Sequence, residues 1–250
     1  MTKIVDLHCH ILPYVDDGAL RTEESEELLD MLYRQGVRIL CATPHLRKGM
    51  FETPDGEIQV QFDELRMRAA QYEERMLLFL SREYHCDDLF RERLNAGNVL
   101  CFGRGRTVLI EFSYHHTYEA ILSWIDDVQA RGYCPLIAHV ERYPALSGSL
   151  AKVSTLIQKG AKIQMNAGSI LGREGFRQSM WSKRLLKEGL VHVVASDSHD
   201  PENRPPELDA CFHFLRKKVG DAYAMALLRE NPVQILTTIE GDSPLCKQSV

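Results

Sequence analysis

Absent from the chain is any C-x-x-C pair: its seven cysteines stand singly at positions 9, 41, 86, 101, 134, 211 and 246. That odd, scattered set fits neither a disulfide framework nor a thiolate-held structural zinc, and reduced thiols in a cytoplasm are the expectation. No run of about 18 apolar residues occurs, and the first residues offer no apolar core of signal-peptide length, so no membrane span or export signal is expected. Excess basic charge is missing as well. With 30 Lys and Arg against 35 Asp and Glu, the net charge is −5, whereas a phosphate-backbone binder needs a basic face to release counterions. Nucleic acid is therefore excluded as a partner. No internal repeat, low-complexity tract or Pro/Gly-rich linker divides the 250 residues, of which 44% are hydrophobic and 26% charged. One soluble globular domain over 1–250 is the expectation.

What the chain does contain is an alternation of strand and helix. Apolar runs beginning at Lys3, Arg38, Met76, Thr107, Cys134, Ala161 and Val191 read as seven strands. Thr22 opens a capped, acidic helix that carries Leu28, Leu29 and Leu32 at helical spacing and closes near Gln35 and Gly36. Residues 57–74 place Ile58, Phe62, Leu65, Ala69 and Tyr72 three or four apart, one apolar face of a long helix. Further helices are expected near 86–95, 117–130, 150–159, 176–188, 207–217 and 219–229, with a short one after Pro232. The C-terminal helices together cover about 207–240. Such alternation means an α/β fold with a parallel sheet, and seven strands suggest a barrel slightly short of the usual eight.

Each of the seven runs ends in a residue that can bind a metal or a phosphate: His8 and His10, His45, Glu83, Glu111, His139, Asn166, then Asp197 and His199. The carboxyl ends of parallel barrel strands open on one face, so these distant side chains converge there. The expectation is a multi-metal hydrolytic site. The strongest local signal is Asp6, His8 and His10, which share a face in an extended segment, so two imidazoles chelate one ion with a carboxylate behind them. A mixed His/Asp/Glu set without cysteine suits Mn, Zn or Fe. Glu83 and Glu111 close buried strands, where a carboxylate needs a partner. His85, His115, His116, His192 and His213 fall outside the register; His85 and the 115–116 pair could line the mouth, while His192 and His213 read as structural.

Cys41 and Arg47 satisfy the C-x5-R spacing of cysteine-dependent tyrosine phosphatases. That mechanism needs consecutive backbone N–H groups around the phosphate and a thiol made acidic at a helix N-terminus; Pro44 lacks an N–H, and Cys41 lies in a buried strand. The cysteine route is set aside. The segment from Leu46 to Gly56, with Arg47, Lys48, Met50 and Phe51, is long for a strand–helix connection and is expected at the mouth, against the substrate.

Taken together, Asp6-His8-His10, Asp16-Asp17-Gly18, Thr43-Pro44-His45, Glu83-Tyr84, A-H-V-E-R-Y over 138–143, N-A-G-S-I-L-G over 166–172, Asp197-Ser198-His199 and Arg204-Pro205-Pro206 resemble the PHP (polymerase and histidinol phosphatase) superfamily. The similarity is closest to its bacterial manganese-dependent protein-tyrosine phosphatases of capsule and exopolysaccharide operons, the CpsB/CapC type. It runs in order through roughly residues 4 to 206. It implies a distorted seven-stranded (β/α)7 TIM-like barrel of the PHP type holding three divalent metal ions, most simply Mn, with Fe, Zn or Mg as alternatives. By position His8, His10, Glu83 and Asp197 would hold the first, Glu83, Glu111 and His139 the second, and Asp17, His45 and His199 the third. Arg142 and Arg204 resemble the arginines that grip phosphate, with Arg47 and Asn166 as further substrate contacts. Asp16 or a metal-bound water is the candidate proton source.

The implied activity is hydrolysis of phosphotyrosine on a protein, the tyrosine-rich tail of a membrane-associated kinase that controls capsule or exopolysaccharide synthesis. Three other readings remain open at this stage. A histidinol-phosphatase-like enzyme for small phosphate esters would use the same metals. An amidohydrolase would place a modified lysine where this chain has Glu83. A catalytically silent regulator would bind the kinase tail without turnover.

Overall fold

The computed structural model describes residues 3–237. The expected parallel sheet is present, but two of the seven expected strands are each broken in two. The strands are β1 (Ile4–Cys9), β2 (Val37–Ala42), β3 (His45–Leu46), β4 (Leu77–Leu80), β5 (Glu83–His85), β6 (Thr107–Glu111), β7 (Cys134–Ile137), β8 (Lys162–Asn166) and β9 (Val193–Ala195). They form one sheet in the order β1-β2-β4 and a second in the order β3-β5-β6-β7-β8-β9, with every neighbouring pair parallel.

The breaks fall side by side, at Thr43-Pro44 between β2 and β3 and at Ser81-Arg82 between β4 and β5. Pro44 has no N–H to give to a ladder, which ends regular pairing there. Hydrogen bonds still cross the gap, from Ser81 N–H to Ala42 O at 2.9 Å and from Glu83 N–H to Pro44 O at 3.1 Å. The sheet curls until its first and last strands meet: His10 N–H donates to Ser198 O at 2.9 Å and Asp197 N–H to His8 O at 2.8 Å.

Helices cover the outside: α1 (Thr22–Arg34), α2 (Asp55–Ala69), α3 (Asp88–Ala96), α4 (Tyr118–Ala130), α5 (Leu150–Gln158), α6 (Ala167–Leu171), α7 (Phe176–Lys187), α8 (Leu208–Val219), α9 (Asp221–Met225) and α10 (Asn231–Thr237). Leu28, Leu29 and Leu32 of α1 are fully buried, each such side chain contributing about 1.5–3 kcal/mol. Two expectations for these helices need correction. Thr22 does not cap α1; Arg21 holds the N-cap position without a side-chain bond, and Glu24 reaches back to accept from Leu20 N–H at 2.8 Å. The second helix begins at Asp55 and ends at Ala69, short of 74, because Tyr72 leaves the helix to stack on Tyr33 with centroids 4.2 Å apart.

Both faces are buried along β1, β5, β6 and β9, as strands covered on both sides require, while β4 is partly open at Leu77. Leu109, Leu136, Ala138, Val193 and Ala195 fill the inside, while Val108, Ile110, Ile137 and Val194 alternate with them toward the helices. Ile235 and Leu236 of α10 pack with Phe102 against that inner cluster, so the motif-poor C-terminal helices close the base of the barrel. Gly103 is required there, since a Cβ would lie 2.1 Å from Leu236 O. Residues 238–240 of the expected C-terminal helices lie outside the described residues.

Candidate metal centre

The carboxyl ends of the strands bring the expected donors to one place. His8 and His10 come from the end of β1, His45 opens β3, Glu83 opens β5, Glu111 ends β6, His139 follows β7, and Asp197 and His199 follow β9. Asp17 joins from the β1–α1 loop. Three sets have their donor atoms within 4.8 Å of one another: His8, His10 and Asp197; His45, Glu83 and Glu111; and His10, Asp17, His45 and His199. Glu83 is the hub. Its Oε2 lies 3.3 Å from His8 Nε2, 3.3 Å from His10 Nε2 and 3.0 Å from His45 Nδ1, and its Oε1 lies 2.9 Å from His139 Nε2.

Backbone strain helps to aim two of these groups. After Leu136 and Ala138 face inward, strict alternation would send His139 outward; a φ of 32° at His139 turns it back. Asp197 has φ 52°. Left-handed backbone at residues with a Cβ costs on the order of 1–3 kcal/mol and persists where surrounding contacts enforce it.

Polar partners behind the rings set the imidazole orientations. His8 Nδ1 lies 3.2 Å from Gln164 Oε1, which also accepts from His139 N–H at 2.7 Å. His10 Nδ1 lies 2.8 Å from Asp16 Oδ2, and that oxygen accepts from His45 N–H at 2.9 Å. Tyr143 Oη lies 3.2 Å from His139 Nδ1. Each of these contacts leaves the other ring nitrogen free to face the centre. His45 Nδ1, Glu83 Oε2 and His199 Nε2 are buried without a hydrogen-bond partner. Buried polar atoms left over in this way, drawn from a His/Asp/Glu set, are the donor pattern of hard or borderline cations.

The electrostatics agree with that assignment. Burial disfavours charge on Glu83, yet the imidazoles of His8 and His45 hold its carboxyl well below the usual range. Burial likewise opposes ionisation of Asp197, and Arg204, His8 and Arg142 overcome it, so its pKa is also depressed. Asp197 faces two ways: Oδ1 lies 3.3 Å from His8 Nε2, while Oδ2 accepts from Arg142 Nη1 at 2.9 Å and from Arg204 Nη2 at 2.8 Å. A cavity of about 130 Å³ opens over this point, bounded by Arg47, Glu83, Glu111, Arg142, Asp197 and Arg204. Ionised carboxylates below and guanidinium groups at one side suit an anion held against cations.

A model of the capsular polysaccharide synthesis family CpsB/CapC matches residues 4–237. The chain belongs to the CpsB/CapC family. Among CpsB/CapC relatives, the tyrosine-protein phosphatase CpsB of Streptococcus pneumoniae is 37% identical over 240 residues, spanning 93% of this chain and 98% of its own. The tyrosine-protein phosphatase YwqE of Bacillus subtilis is 30% identical over 233 residues, spanning 93% and 91%. A crystal structure from work on YwqE and CpsB as metal-dependent tyrosine phosphatases matches with a TM-score of 0.85 at 30% identity, covering 94% of this chain and 96% of that one.

Within this CpsB/CapC site several expected residues sit differently. Asn166 is 2% exposed; its Nδ2 donates to Asp197 Oδ2 at 2.6 Å and its Oδ1 accepts from Gln164 at 2.8 Å. It braces Asp197 from behind and has no free edge for substrate. Asp6 does not back the imidazoles of His8 and His10. A bulge between Asp6 and Cys9 intervenes, and its carboxylate accepts from Ser196 N–H at 3.0 Å. Asp16 is buried, and although burial favours its neutral form, His10 and His45 push its pKa down, which removes it as a proton donor. Cys41 is fully buried on β2 and burial pushes its thiol pKa well up, so it is no nucleophile.

Arg47 does line the cavity, and its loop is pinned: Arg47 and Phe51 exchange two backbone hydrogen bonds at 2.9 Å, and Phe51 stacks on His45. His85 belongs to the rim, with Nδ1 3.1 Å from Glu111 Oε1. That agrees with the expectation that His85 stands near the mouth, although it touches the cavity through Glu111 and does not line it. Glu174, Gln164 and Tyr143 join the site beyond the expected residues, and Glu174 grips Arg142 by both Nε at 2.8 Å and Nη2 at 2.7 Å. No short motif marks a carboxylate that arrives from a loop.

Proposed function

We propose that this chain is a metal-dependent protein-tyrosine phosphatase whose centre holds three divalent cations, manganese first among the candidates. The observation that carries the reading is Asp197, whose Oδ1 belongs to the donor cluster and whose Oδ2 receives both Arg142 and Arg204. A phosphate monoester is the ligand class that asks for both at once: cations and guanidinium forks would together answer the charge on its oxygens. On this reading His8, His10, Glu83 and Asp197 hold one ion, Glu83, Glu111 and His139 a second, and Asp17, His45 and His199 a third. When bound, such ions supply an acidified water as nucleophile and stabilise charge on the oxygens of an in-line displacement.

The protein's own side chains do the positioning. Arg142, fixed by Glu174, and Arg204 orient the phosphoryl group over Glu83 and Asp197. The leaving phenol has a pKa of about 10, so it departs as phenolate more readily than an alkoxide would, and no dedicated acid is required. That fits a site in which Asp16 is locked against His10. The physiological substrate on this reading is the phosphorylated tyrosine-rich tail of a membrane-associated kinase in capsule or exopolysaccharide synthesis, met in the cytoplasm. No described helix is long and apolar enough to cross a membrane.

The test combines elemental analysis with metal-by-metal reconstitution, followed by turnover of a tyrosine phosphopeptide and of histidinol phosphate. Full activity is expected with Mn and on the phosphopeptide. Persistence of aryl phosphate hydrolysis after chelation, or near-normal rates in both His10→Ala and Asp197→Ala, would defeat the proposal; faster turnover of histidinol phosphate would reassign the substrate.

A further inference from the structure

Helix α7 carries a stripe of charge that the rest of the molecule leaves unanswered. Phe176, Arg177, Met180, Lys183, Arg184 and Lys187 are its exposed positions, spaced so that they run down one side of the helix. Phe176 is 78% exposed, the most of any large apolar side chain described, and Met180 is 52% exposed. Between Phe176 and Lys187 there is no acidic residue. Several cations on other helices do find carboxylates, Arg68 with Glu26, Arg91 with Asp127 and Arg93 with Asp55, although Lys217 and Lys218 of α8 show none among the described residues. Among the described residues none of the four α7 cations has one. Lys183 rests over the Phe214 ring at 5.4 Å, and Lys187 shares a surface hollow with Lys218 of α8, which adds a fifth positive charge. The flanking acids are Glu174, which is committed to Arg142, and Glu188 just past the helix end.

We propose that this face of α7 attaches the protein to an anionic lipid surface. A net charge of −5 over the chain makes a four-cation stripe a local inversion. Charge complementarity therefore selects an anionic occupant, and two apolar side chains at one end select lipid over an acidic protein. Phe176 and Met180 suit shallow insertion beside headgroups, and Lys and Arg are attracted to anionic headgroups without needing fixed partners. The stripe is about 18 Å long and one helix wide, too narrow for the apolar core of a stable protein interface. Since α7 leads from the β8 end toward the start of β9, contact along it lays the barrel axis in the bilayer plane. Phe176, two residues from the Arg142 partner Glu174, then sits at the mouth. The attachment stands independently of the phosphatase reading.

Co-sedimentation of the full chain with phosphatidylcholine vesicles, with and without phosphatidylglycerol, tests it. Pelleting is expected only with phosphatidylglycerol and is expected to fall with added salt. Each cation near an anionic leaflet strengthens attachment about fivefold, so Arg184→Glu with Lys187→Glu should abolish pelleting. Phe176→Ser with Met180→Ser should weaken it several-fold. Arg66→Glu with Arg68→Glu on α2, which changes the net charge equally, should leave it intact. All three pairs should fold and keep aryl phosphate turnover. No pelleting with phosphatidylglycerol, equal loss in the α2 pair, or retention in Arg184→Glu with Lys187→Glu overturns the proposal. Binding to polyglutamate without vesicle pelleting overturns it as well, and assigns the stripe to an acidic protein.

Discussion

Arg142 meets Asp197 at 2.9 Å through Nη1 while Glu174 holds its Nε and Nη2, so all three guanidinium nitrogens are fixed by carboxylates. Arg204 offers only Nη2 to Asp197 and is the looser of the two, with 37% of its side chain exposed. On the proposed reading, a phosphate grip would depend on geometry at Arg142 more than at Arg204.

Arg142→Lys keeps the charge and loses the planar fork. The expected result is a fall in kcat/KM of about 100-fold on an aryl phosphate, the scale of losing one preorganised donor, with a smaller fall for Arg204→Lys. Metal content by elemental analysis should be unchanged in both. Equal and small effects in steady-state kinetics would place the grip elsewhere.

Asp16 steadies two donors at once, His10 through its side chain and His45 through its backbone N–H. Partners behind a ligating imidazole are worth about 10–100-fold in metal affinity. Asp16→Asn should weaken Mn binding by that factor in isothermal titration. An unchanged affinity would show that the carboxylate charge is irrelevant to the centre.

Cys41 lies inside the barrel, far from water. Cys41→Ser should retain most turnover when folded and metal-loaded, while melting earlier, because a hydroxyl without a full set of partners costs about 1–3 kcal/mol there. Complete loss of activity in the loaded variant would revive a thiol mechanism.

His192 reports on pH. Burial, then the charge of Lys162, lowers its pKa from 6.5 to about 4, and its Nδ1 accepts from Ile163 N–H at 3.1 Å. The unfolded chain takes up a proton near pH 6.5 that the folded chain refuses until about 4. Stability from this group is thus present above pH 6.5 and lost as pH falls toward 4, by about 3 kcal/mol. His192→Asn, which keeps an acceptor, should flatten that part of the difference curve between variant and wild type in thermal melts. Parallel curves would show that His192 does not titrate in this window.

Much of the site was legible because strand ends announce themselves: an apolar run followed by His, Glu or Asp marks the place of His8, His45, Glu83, Glu111 and Asp197 without knowledge of their partners. Helix faces were equally plain, as in Ile58, Phe62, Leu65 and Ala69. The rest depends on contacts between segments remote in sequence. Gln164 and Asn166 stand on an ordinary strand and acquire meaning only from His8, His139 and Asp197. Glu174 comes from a loop whose path no periodicity sets. The bulge after Asp6 breaks the alternation that made Asp6 look like a backing carboxylate, and His139 reaches the centre against alternation. Strand breaks at Pro44 and Ser81 were half visible, since proline warns of an interrupted ladder and serine does not.

The donors are carried by the ends of nearly every stave, from the opening strand to the closing one. Ions at their centre would act as a hoop, joining chain segments whose loops are long and whose closure therefore gains most from a cross-link. Cation supply would then govern the cohesion of the upper rim, while the base, plugged by Ile235, Leu236 and Phe102, holds together by apolar packing that needs no ion.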